Sequence, residues 1–162
     1  MKSFEWFVIA RILHVVGVVL WIGGVAFVTT ILIPALRKLP DTEKRFELFE
    51  KLERRFSTQA RVVTAVTGLS GFYMVYHLNA WSRYYSDPSF WWMHLMTCVW
   101  VIFTLVLFIL EPAFLHRWFS EQAARNPEKA FRWLQRMHVI LLTVSLIAIA
   151  GAVAGSRGFR FF

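Results

Sequence analysis

The chain has 162 residues, 57% of them hydrophobic and 17% aromatic, with a mean hydropathy of +0.51 and a formal net charge of +8. That describes one small domain, too apolar for a soluble fold of this size. The basic residues flank apolar runs and mix with Glu43, Glu47, Glu50 and Glu53, which argues against a nucleic-acid partner, and the single Cys98 excludes an intramolecular disulfide and a cysteine-based metal cluster.

Four apolar runs follow one another: Phe7–Leu36, Val62–Trp81, Phe90–Phe114 and Leu134–Ala154. Each reaches the roughly 20 residues that cross a hydrocarbon core of about 30 Å. Backbone groups in lipid must bond internally, so each run predicts a helix. The expectation is an all-α fold: one integral membrane domain over 1–162, a four-helix up-down bundle with helices near 5–36, 58–81, 89–116 and 128–155. The first run is too long and too uncharged at its start for a cleaved signal peptide.

In chain order, Pro34 predicts a kink or an end to the first helix. Between Asp41 and Arg55 the charges alternate with Phe46, Phe49, Leu52 and Phe56 at helical spacing, which predicts a cytoplasmic amphipathic helix leading into the second span. Asn79–Ser89 reads as a short polar loop, and Asn126-Pro127 as the N-cap and first position of the fourth helix. Trp6, Trp81, Trp91 and Trp92 mark one membrane interface, Trp118 and Trp133 the other.

The charges set an expected orientation. Arg37, Lys38, Lys44, Arg45, Lys51, Arg54, Arg55 and Arg61 join the first two runs, and Arg117, Arg125, Lys129, Arg132 and Arg136 join the last two. The opposite side holds Lys2, Arg11, Arg83, Arg157 and Arg160. The positive-inside rule puts the richer side in the cytoplasm of a bacterial inner membrane and both termini outside.

The chemistry lies in the histidines. His14, His77 and His94 fall on three different runs, each within about two turns of the outer end. An ionisable group at that depth is unfavourable without a partner and reads as functional. Imidazoles at matched depth in a helical bundle imply a metal or a haem iron. In an up-down bundle the first and third helices are diagonal, so His14 and His94 could approach one iron from opposite faces, with His77 in reserve. Arg11, one turn above His14, could pair with a propionate or snorkel to the headgroups. Gly17, Trp21 and Gly24 continue the His14 face and leave room for a flat macrocycle or a close helix. His116 and His138, near the cytoplasmic face, offer a possible second site, or for His138 a pairing with Glu111 or a packing hydrogen bond. Met74, Met93 and Met96 lie near His77 and His94, and thioether with imidazole suits copper as the alternative cofactor.

These residues resemble a family. Arg11-Ile-Leu-His14-Val-Val-Gly-Val-Val-Leu-Trp21-Ile-Gly-Gly24 looks like the first helix of HemJ-type protoporphyrinogen oxidases. Phe46-Glu-Leu-Phe-Glu-Lys-Leu-Glu53-Arg54-Arg55, Trp91-Trp92-Met93-His94-Leu95 and Phe131-Arg132 resemble later segments of the same family. The CopD-like copper-resistance group is similar to a comparable extent. The resemblance implies haem b held by His14 and His94. It also departs: Met96 stands where HemJ-type proteins carry a lysine, and Gln135-Arg136-Met137-His138 replaces their Asn-Glu-x-Pro. The expected function is haem-b redox or electron transfer in the membrane, linked to a quinone-like or porphyrin-like small molecule. The expected partners are the lipid bilayer and a second copy of the chain or a redox partner protein; the alternative functions are a CopD-like copper transport or accessory role and a non-catalytic subunit of a larger membrane complex.

Overall fold

The computed structural model describes residues 2–159, the side chains of residues 2–3, 114–116, 118, 120, 123 and 124 apart. Arg160 and the side chains of Lys2, His116 and Trp118 lie outside the described residues. Among those described, all regular structure is helical. Helix α1 (Lys2–Phe27) passes through a π-helical turn (Val28–Leu32) into α2 (Ile33–Arg37). Helix α3 (Thr42–His77) is followed by two 3-10 turns, Ala80–Tyr84 and Pro88–Phe90. Helix α4 (Trp91–Leu105) runs through a second π segment (Val106–Leu115) into α5 (His116–Arg125), and α6 is Pro127–Ser156.

Local chemistry accounts for the boundaries. The Asp41 carboxylate accepts from the Glu43 and Lys44 amides at 3.0 and 3.1 Å and starts α3. Asn126 caps α6 as expected, accepting from Lys129 N–H at 3.0 Å with Pro127 in the first turn. Asn79, at φ 47°, turns the chain out of α3 in the left-handed region that asparagine tolerates.

The region expected as a separate amphipathic helix is the first half of α3, one unbroken rod of 36 residues. Part of its apolar face is buried within the fold. Phe49 packs on Phe119 and Phe131 at 5.1 and 5.6 Å between ring centres, and Arg45, buried beside them, reaches Glu128 at 2.6 Å. Leu52 stays exposed.

Among the described residues three helices are long and apolar enough to cross a membrane: Phe4–Arg37, Pro88–Ala113 and Pro127–Ser156. The second expected span is not among them, because Thr64, Thr67, Gly68, Ser70 and Gly71 dilute it. Those residues face inward: Thr64, Thr67 and Ser70 are buried, while Val62 and Leu69 on the opposite face are 61% and 72% exposed. On the other rods Val19, Ile140 and Val153 are exposed to a similar degree. Such an outside would be a liability in water and suits lipid.

Packing is pairwise. Gly17 meets Thr67 and Gly24 meets Phe56, so α1 and α3 run in opposite senses. Gly68 meets Trp100, and Arg61 reaches the Leu107 carbonyl, giving the same relation between α3 and the chain from α4 onward. Trp91 and Trp92, expected as interfacial belt residues, pack against Gly151 and Gly155 of α6.

Candidate functional site

The site is built on the small-residue stripe of α3. In an α-helix each carbonyl is bonded by the amide four residues on, and the side chain there ordinarily shields it. Where that residue is glycine, a donor from a neighbouring helix can reach the carbonyl as well. This happens twice. Gly68 follows Thr64, and the Trp100 indole N–H donates to the Thr64 carbonyl at 3.0 Å. Gly71 follows Thr67, and His14 Nδ1–H donates to the Thr67 carbonyl at 2.9 Å. A β-carbon on Gly71 would stand 3.1 Å from the His14 ring. A carbonyl only accepts, so the bond assigns the proton to Nδ1 and leaves the lone pair on Nε2. Donation of one ring nitrogen to a backbone carbonyl is the usual support of a metal-ligating histidine.

The other predicted site residues are placed as follows. His77 lies on the same α1/α3 seam, its ring stacked on Phe7 at 5.1 Å and on Tyr73 at 6.0 Å. His94 is exposed on α4, where Nε2–H donates to the Tyr84 carbonyl at 2.8 Å and the ring meets Tyr84 edge-on. Arg11 is exposed one turn before His14. The structure thus brings His14 and His77 to one seam and holds His94 against the Ala80–Tyr84 turn. Met93 is buried, with Met74 and Met96 half-buried. Among the described residues no three His, Cys, Asp or Glu side chains stand together as a metal site.

At the charge-rich end the geometry holds a second polar centre that the sequence reading did not assemble. In the first π turn Ile33 N–H bonds the Val28 carbonyl five residues back. The next bond in that register would come from residue 34, which is proline and has no N–H. The orphaned Thr29 carbonyl is filled by the Gln135 amide of α6 at 2.7 Å. The second π segment repeats the arrangement: Pro112 stands five residues after Leu107, and Arg61 Nε donates to the Leu107 carbonyl at 2.9 Å. The same guanidinium pairs with Glu111 at 3.1 Å, and Glu111 also accepts from Ser57 at 2.5 Å. His138 does not pair with Glu111: its Nδ1–H donates to the Leu134 carbonyl of its own helix at 2.9 Å. A signal for this centre existed in the sequence, since each proline inside an apolar run strands a carbonyl that some polar side chain at that depth must meet.

Comparison of the chain with protein-family models, characterised proteins and solved structures finds no match. The reading of function therefore rests on the site. On the His14 side the tautomer and its supporting carbonyl leave Nε2 as the nitrogen that could ligate a metal. On the other side the candidates are His77, whose ring is held by stacking, and His94, whose Nε2 would have to leave the Tyr84 carbonyl.

Proposed function

We propose that the protein is an up-down bundle of four membrane-spanning helices in a bacterial inner membrane, both termini outside, that holds haem b near its outer face for one-electron transfer with a quinone-like or porphyrin-like molecule. The observation that carries this reading is the hydrogen bond from His14 Nδ1 to the Thr67 carbonyl, which leaves Nε2 as a pre-oriented ligand. Haem b, when bound, supplies a one-electron couple tuned by its axial ligands and the low dielectric of the bundle. The chain's own residues do the rest. Gly71 gives the imidazole its place and Thr67 fixes its tautomer, and His94 or His77 would be the second residue to hold the haem. Arg11 would neutralise a propionate, and the apolar seam would keep water out.

Support for the fourth span comes from α3 itself, whose exposed face is Val62, Leu69, Phe72 and Tyr76 while its polar stripe is buried. Cytoplasmic charge on both helix connections supports the orientation. Two experiments test the proposal. An absorption spectrum of the purified protein should show a Soret band and, on reduction, split α and β bands; a colourless protein with bound copper would select the copper reading instead. Reporter fusions near Lys44 and at the C-terminus should report opposite compartments, with Lys44 cytoplasmic.

A further inference from the structure

A cavity of about 130 Å³ lies in the charge-rich half, walled by α1, α3, the second π segment and α6. Cavities of roughly 150 Å³ lined by apolar side chains hold one benzene ring. This one is therefore the size of a single six-membered ring and far too small for a porphyrin. Its walls are mostly apolar and aromatic, with Trp21 and Phe103 edge to face at 4.9 Å.

Two polar groups in that lining are unspent. Trp21 is 4% exposed, and its indole N–H has no acceptor among the described residues. A buried donor without an acceptor is costly and rare, so a ligand oxygen is the natural complement. His138 also lines the cavity, and its Nδ1–H is committed to the Leu134 carbonyl, which leaves Nε2 as an acceptor. Glu111 lines it too, held by Arg61 and Ser57. A wider cleft between α3 and Pro112 shares Glu50, Glu53 and Glu111 with the cavity and gives a way in from the charged side.

We propose that this cavity binds the ring of a quinone or its quinol. A ring oxygen accepts from the Trp21 N–H in either redox form, and a quinol hydroxyl donates to His138 Nε2. Trp21 stands seven residues after His14 on the same face of α1, about 10 Å along the helix. That spacing places the ring within reach of the proposed haem, and its use as a redox substrate rests on the redox reading above.

The test is saturable binding of 1,4-benzoquinol, the unsubstituted ring that a cavity of this size admits, to the full-length protein in detergent micelles, measured by equilibrium dialysis under argon against protein-free micelles. The expected result is one ring per chain, weakened at least fivefold by Trp21→Phe, which keeps the ring and removes the N–H, and abolished by the cavity-filling Leu134→Trp. Trp6→Phe, exposed at the opposite end, should bind as the wild type does. Partition equal to that of empty micelles overturns the proposal, as does wild-type affinity in Trp21→Phe. The haem spectrum is read on the same samples. Saturable binding without a haem spectrum keeps the site and overturns the redox reading; a haem spectrum with no saturable binding does the reverse.

Discussion

The two halves of the bundle open their helices by opposite means. Toward His14 the device is glycine: Gly68 and Gly71 uncover the Thr64 and Thr67 carbonyls, which keep their own helical bonds and also accept from Trp100 or His14, the Thr67 carbonyl from the Ser70 hydroxyl as well. Toward Glu111 the device is proline: Pro34 and Pro112 remove a donor, and Gln135 and Arg61 replace it. In the first half the side chain adds to a complete ladder. In the second it completes a broken one, at a depth where water is scarce. The difference predicts that the proline half is the more fragile to polar deletions and the glycine half the more sensitive in its cofactor chemistry.

Arg61→Leu should cost most. It strands the Leu107 carbonyl and leaves the Glu111 carboxylate without its cation, at a cost of about 3 kcal/mol, and should lower the melting temperature in detergent by roughly 6–12 °C. The double variant with Glu111→Leu should recover much of that loss, since the buried charge goes with its partner; a double variant as unstable as the single one would put the Leu107 carbonyl, not the carboxylate, at the centre. Gln135→Leu orphans one neutral carbonyl and should cost about 2 kcal/mol in the same melting assay. Gly71→Ala should cost about 1 kcal/mol by crowding the His14 ring, yet shift the haem spectrum, which Gln135→Leu should leave untouched. Pro34→Ala, which restores the missing donor, should change stability least, by under about 1 kcal/mol in either direction. If the two proline sites tolerated polar deletion as well as the glycine sites, the comparison would fail.

The helices were legible in the sequence because they are written in length and hydropathy: the apolar runs and the Asn126-Pro127 cap both speak locally. The second expected span is a helix whose hydropathy falls below that of the other three, since Thr64, Thr67 and Ser70, which line the inside, lower it. The amphipathic segment Asp41–Arg55 was readable as helix but not as core, because its partners Phe119 and Phe131 lie some 70 to 80 residues on. Depth singled out His14, and the structure adds what no spacing reveals, that Gly71 and the Thr67 carbonyl fix its tautomer. Depth also paired His14 with His94, whereas His94 faces the Tyr84 carbonyl and His77 shares the His14 seam. The Arg61–Glu111 centre escaped because Arg61 read as one more topogenic charge. Pro34 read as a kink or an end, though in a π register such a proline is a request for a donor.

The most direct test of the account is the reduced-state absorption spectrum of the wild type beside His14→Ala, His77→Ala and His94→Ala, purified in parallel. The account predicts a low-spin haem in the wild type and its loss, or conversion to a five-coordinate spectrum, in His14→Ala and in one of the other two, which names the second ligand. Unaltered low-spin haem in His14→Ala, or no haem in the wild type, would contradict it.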